Sequence, residues 1–376
     1  MSNKNDINLK IKIYSNNYGT IICDYKNNKL LGIGSTHMKN LQFKCDNYNI
    51  KKIAAGSYHF LYLLENNTLY SFGYNSYGQC SFDMKYDDFI LTPKKITFFD
   101  NLKNKSEKYI KDIYCSSNTS YVLLNDNTLY AFGYDVDENY IPQEIKLPDK
   151  MNVIHIYSSP SIPNIFILTN KLQLFSFLKN KFQKINVNID NNQQIKTIFM
   201  ITLSLFVIHF ITKNAYNEYF PINDKHNYIE YTLPGYDMDN KYLNFTMNKL
   251  EKFSNYAEDD NFKKYGFLEK IVNSDGFDLE KIFYLTNKGV FIQRVPYKLN
   301  SNTDFKLINS LRDKIDTKLI ELKFFKDKKI IDIVAFDKQL FALSKDGKVY
   351  GCGKLEDSSF VYNDGWTPPI ILYEMK

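Results

Sequence analysis

Short apolar stretches alternate with polar, asparagine-rich turns along most of the chain. In IAAGSYHFLYLLENNTLYSFGYNSYGQC, residues 53–80, two apolar runs flank an Asn-Asn pair, and a glycine and a polar loop follow the second run. Valine, isoleucine, tyrosine and phenylalanine favour strands, and asparagine accepts the positive φ of a tight turn. The pattern therefore predicts an antiparallel hairpin.

This hairpin is one copy of a repeat. Residues 110–135 align with residues 50–75 without a gap, and residues 330–354 keep the same register with Asp346-Gly347 at the turn. Weaker copies lie at 13–34, 153–177, 195–212 and 268–293. A unit that cannot bury its own apolar face needs neighbours of the same kind, so the seven copies are expected to stack.

The most hydrophobic run of the chain is TIFMITLSLFVIHFIT, residues 197–212. It has 16 residues between Lys196 and Lys213, whereas a helix that crosses a bilayer needs about 20. Residues 195–198 align with residues 50–53, which places the run where two consecutive strands are expected. We predict a buried pair of strands here and not a membrane segment.

Proline-containing segments follow several of the hairpins. They are ILTPKKITFF at 90–99, YIPQEIKLP at 140–148 and WTPPIILYE at 366–374. Proline lacks an N–H donor and is confined to sheet edges and strand starts, so these segments are predicted outer strands. One inner strand, a central hairpin and an outer strand make a four-stranded blade. We predict an all-β, seven-bladed propeller of antiparallel blades, a single domain over 1–376, closed by pairing of the amino-terminal and carboxy-terminal strands.

The stretch 53–80 resembles a repeat of the regulator of chromosome condensation family. That pattern has a glycine, a histidine three residues on, an apolar strand, a turn, an aromatic strand ending in glycine, then an asparagine and a Gly-Gln pair. The matching positions are Gly56, His59, 69–72, Gly73, Asn75, Gly78 and Gln79, with Gly133 and Gly353 ending the aromatic strand of other copies. The resemblance implies the propeller of the Ran nucleotide-exchange factor type, with these residues as structural repeat positions.

One further expectation follows from the repeat. Gly73 and Gly133 end their strands in register, and we expect a positive φ or a close backbone approach at both. An alternative propeller family is built on tryptophan-aspartate repeats. It is disfavoured because the chain has one tryptophan and no Trp-Asp pair.

Composition limits the class of protein. With 376 residues, 44% hydrophobic and 16% aromatic, the chain can bury a large core. Its first residues lack an apolar run ahead of a small-residue cleavage site, so no secretory signal is predicted. The five cysteines, 23, 45, 80, 115 and 352, form no Cys-x-x-Cys pair. We expect reduced thiols in a monomeric cytoplasmic or nuclear protein.

The net charge of the chain limits the classes of partner that are expected. Lysine and arginine number 48 against 42 acidic residues, an excess of 6, which is small for a nucleic-acid binder. In KLIELKFFKDKK, residues 318–329, lysines and phenylalanines interleave. The segment is either a phosphate-contacting patch or an amphipathic part of a second inter-blade loop at 299–329, and we favour the loop. Nucleic acid is therefore not an expected partner.

Motifs of catalysis are absent from the sequence. It contains no Gly-rich phosphate loop, no Gly-x-Ser-x-Gly elbow and no His-Glu-x-x-His. Its histidines are isolated from one another and from cysteine at metal-ligand spacing. We expect no catalytic residue, no metal and no cofactor, and we interpret the chain as a non-enzyme. His59 is expected to be a half-buried imidazole that hydrogen-bonds a neighbouring strand.

A long polar stretch rich in tyrosine, residues 214–267, separates two of the hairpins. Loops of this length are uncommon in compact domains and are usually functional or disordered. We interpret it as an inter-blade insertion. Its first half is expected to supply outer strands of the fifth blade, and a short helix is expected within 248–270.

The loops that follow the aromatic strands are candidate binding surfaces. GYNSYGQC in one copy becomes GYDVDENY in the next, so the strand end is kept while the loop chemistry changes, as expected of a shared scaffold with variable loops. We predict that six residues lie exposed on one face of adjacent blades: Tyr74, Asn75, Tyr77, Tyr134, Asp135 and Asp137. In the alternative, Asn75 and Asp135 merely cap their own turns.

Function must be argued from such surfaces, because propellers host unrelated activities. The favoured hypothesis is a non-enzymatic protein-interaction scaffold that uses its loop faces. The alternative is implied by the family resemblance: a guanine-nucleotide exchange factor for a Ran-like small GTPase, which lowers nucleotide affinity by reciprocal coupling and needs no catalytic group. A subunit of a trafficking or ubiquitin-linked assembly is a third possibility.

Overall fold

The computed structural model describes most of the repeats. The described residues are 11–16, 19–34, 42–44, 49–82, 89–100, 107–136, 139–148, 151–160, 162–187, 193–200, 205–212, 225–232, 268–273, 281–294, 320–336, 339–353 and 367–374. Their strands form seven antiparallel sheets, six with four strands and one with three. The predicted all-β class and four-stranded antiparallel sheets are thus confirmed.

Five sheets, β1 to β19, belong to one compact unit. Sheet 1 contains β1 (Ile11–Asn16), β2 (Gly19–Asp24), β3 (Lys29–Gly34) and β4 (Gln42–Lys44); sheet 2 contains β5 (Ile50–Ala55), β6 (His59–Leu64), β7 (Leu69–Tyr74) and β8 (Phe89–Ile96). Sheet 3 contains β9 (Ile110–Ser116), β10 (Thr119–Leu124), β11 (Leu129–Gly133) and β12 (Asn139–Ile145), with a short 3-10 turn at Tyr134–Val136. Sheet 4 contains β13 (Val153–Ser159), β14 (Ile162–Thr169), β15 (Leu174–Leu178) and β16 (Lys181–Ile185); sheet 5 contains β17 (Gln193–Met200), β18 (Leu205–Thr212) and β19 (Lys225–Thr232).

Two sheets belong to the second compact unit. Sheet 6 contains β20 (Leu268–Asn273), β21 (Lys281–Thr286), β22 (Gly289–Arg294) and β23 (Ile320–Glu321), followed by a 3-10 turn at Lys323–Phe325. Sheet 7 contains β24 (Ile330–Phe336), β25 (Gln339–Ser344), β26 (Lys348–Gly353) and β27 (Thr367–Glu374).

The hydrophobic run at 197–212 is a pair of strands, as predicted. β17 and β18 pair antiparallel, and Ile195 and Ile198 are buried. In the part of the chain that the structure describes, no helix is long and apolar enough to cross a membrane. β19 falls within the stretch 214–267 and pairs with β18, while most of the helix expected within 248–270 lies outside the described residues.

The two terminal strands belong to different sheets. β1 pairs with β2 in sheet 1, and β27 pairs with β26 in sheet 7. The prediction that both ends complete one blade is therefore wrong for these strands. The physical reason is local: β27 follows its own hairpin and takes the outer position beside β26, as β8 does beside β7.

The core of the first unit lies between consecutive sheets. Strands β2, β6 and β10 are the second strands of their sheets, and every residue in them is buried. Between sheets 2 and 3, for example, Leu61 and Leu63 pack in one cluster with Ile113 and Val122. Burial of both faces explains why these strands read as continuous apolar runs with no polar alternation.

Asparagine turns of sheets 1 and 2 contact the first strand of the sheet that follows. Asn28 and Asn67 adopt the left-handed conformation, with φ of 54° and 72°, which asparagine tolerates better than most residues. Their side-chain Oδ1 atoms accept hydrogen bonds from the backbone N–H groups of Ile50 and Ile110, each 2.9 Å long. The turn of one sheet therefore caps the first strand of the following sheet.

An ion pair recurs between neighbouring first strands. A bulge in each first strand precedes the positions of Lys52 in β5 and Asp112 in β9. Lys52 Nζ forms an ion pair with Asp112 and lies 4.1 Å from the centroid of the Tyr114 ring. In the second unit Lys270 and Asp332 occupy the corresponding positions, with 2.7 Å between Nζ and Oδ1.

We expect a coupling free energy of about 1 kcal/mol between Lys52 and Asp112. Both side chains are about two-thirds or more removed from solvent, so the pair is screened less than an exposed one. The measurement is a double-mutant cycle of Lys52→Met and Asp112→Asn by urea unfolding. The more exposed pair Lys95 and Asp100 serves as the control, and an equal coupling at both pairs would contradict a role for the first-strand position.

Candidate protein-interaction site

The loops that were predicted to bind a partner meet at one end of sheets 2 and 3, here called the loop end. The loop after β7 is tied to the turn before β6, because Tyr74 N donates to Tyr58 O at 2.8 Å. Sheet 3 repeats the contact, with Tyr134 N donating to Asn118 O at 3.1 Å. Equivalent loops of adjacent sheets are therefore held in equivalent positions.

Four tyrosine rings contact one another in succession at the loop end, and we call Tyr58, Tyr74, Tyr77 and Tyr134 the tyrosine row. Successive ring centroids are 6.1, 6.4 and 5.4 Å apart, and each pair packs edge to face. Three rings are half-buried, and Tyr134 is 41% exposed. Edge-to-face packing fixes the rings relative to one another and leaves part of each open to solvent.

Sheet 4 contributes a cation to the end of the tyrosine row. Lys179 and Asn180 form the two-residue turn between β15 and β16, with φ of 46° and 59°, the signs that a type I′ hairpin turn requires. The turn places Lys179 Nζ 5.8 Å from the centroid of the Tyr134 ring. The surface thus draws side chains from three consecutive sheets.

Asn75 does not face solvent, contrary to prediction. Its side chain is fully buried: Oδ1 accepts a hydrogen bond from Cys80 N at 2.9 Å, and Nδ2 donates to Phe82 O at 3.0 Å. This is the alternative in which the residue caps its own loop. Gln79 supports the same loop, because its Oε1 accepts from Tyr77 N at 2.9 Å.

Asp135 is also buried, with 3% of its surface exposed. Its Oδ2 accepts a hydrogen bond from the Tyr121 hydroxyl at 3.1 Å, and its backbone N donates to Thr119 Oγ1 at 3.0 Å. Burial raises the pKa of the Asp135 carboxyl to about 6 because it disfavours the charged form. The residue fixes the turn that carries Tyr134, and its predicted exposure is wrong. Asp137 lies outside the described residues.

His59 links sheets 2 and 3 beneath the tyrosine row. Its Nε2 lies 2.8 Å from Ser120 Oγ, which itself donates to Gln79 O at 2.8 Å. Since the serine proton is used on the carbonyl, we assign the donated hydrogen to His59 Nε2. The imidazole is fully buried, and burial lowers its pKa to about 3. The predicted bond to a neighbouring strand is confirmed, although the ring is buried more completely than expected.

The glycines that end the aromatic strands have the predicted positive φ. Gly73 and Gly133 have φ of 109° and 116°, and Gly353 at the end of β26 has 121°. At Gly73 a Cβ atom would lie 2.5 Å from Tyr58 O and 2.7 Å from His59 Cα. The backbone next to Tyr74 therefore leaves no room for a side chain at residue 73.

The basic segment at 318–329 is amphipathic where the structure describes it. Phe325 is buried in the core of the second unit, and Phe324 is 42% exposed with Lys328 Nζ 5.1 Å from its ring centroid. Among the described residues, no three histidine, cysteine, aspartate or glutamate side chains are grouped as metal ligands would be.

Tyr58 and Lys179 were missed by sequence reasoning. Tyr58 precedes the repeat histidine and carries no motif of its own. Lys179 is more than 40 residues from Tyr134 in the sequence, and only the packing of sheet 4 on sheet 3 brings the two together. The available signal was a lysine at a tight-turn position where glycine, asparagine or aspartate is usual.

Residues 50–79 match the regulator of chromosome condensation (RCC1) repeat. Protein RCC1 of Candida albicans is 30% identical over 141 residues, which cover 36% of this chain and 26% of that protein. The guanine nucleotide exchange factor SRM1 of Saccharomyces cerevisiae is 32% identical over 104 residues, covering 27% of this chain and 20% of the relative. The matches thus span about a quarter or less of these relatives' own length.

Two solved structures are similar over most of the chain. Prp20p of Saccharomyces cerevisiae superposes with a TM-score of 0.53 at 14% identity, covering 86% of this chain and 74% of the other. Human WBSCR16 superposes with a TM-score of 0.54 at 12% identity, covering 90% and 88%. At these sequence identities the structural similarity supports the fold alone. The chain thus contains an RCC1 repeat at residues 50–79, is similar in sequence to part of two RCC1-type proteins, and resembles Prp20p in fold.

Proposed function

We propose that the chain is a non-enzymatic protein-interaction module that binds a partner protein through the tyrosine row. The observation that carries the proposal is the succession of four partly exposed tyrosine rings in contact across adjacent sheets. Tyrosine offers a large amphipathic contact area and loses little conformational entropy on binding. It is also one of the residues that dominate interface energies.

The buried residues beneath the rings support this function. Asn75, Gln79 and Asp135 are buried, and each forms a hydrogen bond that supports the loop carrying Tyr77 or Tyr134. They therefore act as positioning residues and not as contacts. A surface fixed before binding loses less entropy when a partner docks. Of the six residues that the sequence predicts to be exposed on one face, Tyr74, Tyr77 and Tyr134 remain as proposed contacts.

Nucleotide exchange on a small GTPase is the second candidate function. A relative is named as a guanine nucleotide exchange factor, and the Prp20p structure was reported with its binding properties to Gsp1p and histones. Exchange is a coupling between two binding equilibria, so it requires a docking surface but no acid, base or metal. The tyrosine row would serve either function.

We also propose that the seven sheets are the blades of one closed ring in a single monomeric domain of the cytoplasm or nucleus. On this proposal the stretches 214–267 and 299–329 are inter-blade segments. They contribute the outer strands β19 and β23, which pair with β18 and β22.

The test is affinity capture from cells that naturally contain the protein. We expect the wild type to retain a partner that the triple variant Tyr74→Ala, Tyr77→Ala, Tyr134→Ala loses, because three contact rings are removed while the buried residues beneath them stay. The matched control is Tyr109→Ala, another exposed tyrosine outside the row. Thermal unfolding of all three proteins checks that the fold is retained.

Retention of the partner by a folded triple variant would show that the row is not the binding surface. If a small GTPase is among the captured proteins, nucleotide release from it should be measured with both forms. Release that is accelerated by the wild type and not by the triple variant favours the exchange factor. Capture without acceleration favours the interaction module alone.

A further inference from the structure

Asp135 occupies in sheet 3 the position that Asn75 occupies in sheet 2. Residues 110–135 align with residues 50–75, so the two positions correspond, and each follows a member of the tyrosine row, Tyr134 or Tyr74. Both side chains are buried. At equivalent points of the two loops, sheet 2 therefore has a neutral amide where sheet 3 has a titratable acid.

The two side chains differ in how well their polar atoms are paired. Asn75 Oδ1 accepts from Cys80 N at 2.9 Å, and Asn75 Nδ2 donates to Phe82 O at 3.0 Å. Asp135 Oδ2 accepts from the Tyr121 hydroxyl at 3.1 Å, whereas its buried Oδ1 has no hydrogen-bond partner among the described residues. An unpaired oxygen in a buried site costs far more free energy when the group is charged than when it is neutral.

Two titratable groups of the described residues act on the Asp135 carboxyl. Burial and the nearby carboxylate raise the pKa of the Tyr121 hydroxyl in β10 well above its usual range, so this group remains a donor at neutral pH. Lys179, in the turn between β15 and β16, attracts the charged carboxylate and lowers its pKa, but burial has the larger effect. The charged form of Asp135 is therefore disfavoured, and its pKa is raised to about 6.

The turn that contains Asp135 also carries Tyr134, the last ring of the tyrosine row. Asp135 N donates to Thr119 Oγ1 at 3.0 Å, and Tyr134 N donates to Asn118 O at 3.1 Å. Val136 anchors the other end of the turn in the core between sheets 3 and 4. Because the carboxyl is buried, water reaches it only if the turn moves, and the two amides then leave their acceptors. Opening of the turn therefore displaces Tyr134 from the row.

We infer that the neutral acid form of Asp135 holds the turn of Tyr134 closed and that loss of its proton loosens the turn. The tyrosine row is then complete at weakly acidic pH and opens at one end as the pH rises. The inference rests on the proposed function and adds to it a dependence of the binding surface on proton concentration.

The direction of the effect follows from proton linkage. The pKa of Asp135 is about 6 in the closed turn and about 4 once water reaches the carboxyl. The closed turn therefore binds the proton more tightly than the open turn does. Its stabilisation by the proton is complete below about pH 4 and is lost as the pH rises through about 6.

Hydrogen–deuterium exchange of the protein without a partner tests the turn. Peptides that contain residues 134–136 are followed by mass spectrometry at pH 5 and pH 8, and the rates are corrected for the intrinsic effect of pH on amide exchange. We expect the opening constant of the wild-type turn to be roughly tenfold larger at pH 8 than at pH 5. The loop 74–76 is the internal control, because Asn75 does not titrate, and its opening constant should be the same at both pH values.

Two variants assign the pH dependence to one carboxyl. Asp135→Asn should abolish it, and the matched control Asp137→Asn, which removes a second acid from the same loop, should keep it. An equal opening constant of the wild-type turn at both pH values would overturn the inference, and that comparison needs no variant. A pH dependence that survives Asp135→Asn, or that disappears in Asp137→Asn, would also overturn it.

The exchange experiment and the capture experiment fail separately. Retention of the partner by the folded triple tyrosine variant would remove the proposed function, but it would not change the exchange of the turn. Conversely, a turn that opens equally at both pH values would leave the tyrosine row as a binding surface that does not respond to pH.

Discussion

Replacing Gly73 with alanine is expected to lower the free energy of unfolding by about 3 kcal/mol or more. The φ of 109° at this residue is outside the range that a side chain with a Cβ atom accepts readily. The added methyl would also lie 2.5 Å from Tyr58 O and 2.7 Å from His59 Cα. Both are backbone atoms that cannot rotate away, so the turn before β6 must shift. Urea unfolding followed by circular dichroism measures the loss.

The control for Gly73→Ala is Ser76→Ala, a partly exposed residue of the loop after β7. Its substitution is expected to change stability by less than about 0.5 kcal/mol, as for most surface changes. Equal stability of Gly73→Ala and Ser76→Ala would show that β7 and the turn before β6 do not approach each other closely at residue 73.

His59 is expected to make the protein sensitive to acid. Its pKa is about 3 in the folded protein because of burial and about 6.5 in an unfolded chain. Below about pH 6.5 the unfolded chain therefore binds a proton that the folded protein does not, and stability falls with pH until the folded pKa is reached. The loss from this residue is about 3 kcal/mol between pH 7 and pH 4.

The variant His59→Gln isolates this effect, because Gln339 occupies the corresponding repeat position in β25 and is buried there. We expect the variant to be less stable than the wild type at pH 7 but to lose less stability on going to pH 4. Asp135 acts in the opposite direction, since its raised pKa favours the folded state at acid pH, but it is present in both proteins and cancels in the comparison. Equal acid sensitivity of the two would show that the imidazole is not held neutral.

The fold was predictable because the hairpin is repeated. A single copy does not show where its strands end. The constant offset between residues 50–75 and 110–135 shows which positions are strand ends. Gly73 and Gly133 could be assigned a positive φ for that reason. Three outer strands, β8, β12 and β27, could be assigned from their prolines. The pairing of the two terminal strands was predicted wrongly, since the partner of β27 depends on whether its own hairpin is complete.

The site was only partly predictable, because side-chain direction at a strand end is set by tertiary packing. Tyr74 and Asn75 are neighbours in one loop, yet the tyrosine is partly exposed and the asparagine is fully buried. Nothing in the loop sequence separates a polar side chain that caps the loop from one that faces solvent. Lys179 becomes part of the surface only through contact between sheets, and no local pattern encodes that contact.

The asparagine turns have a consequence for how the chain can gain or lose repeats in evolution. The N–H of Ile110 is capped by Asn67 of the preceding sheet, just as the N–H of Ile50 is capped by Asn28. If residues 50–109 were removed as one block, Ile110 would follow the turn of Asn28 and find the same acceptor there. The segment 50–109 therefore runs from one first strand to the next, and its deletion would restore the same capping hydrogen bond at the new junction.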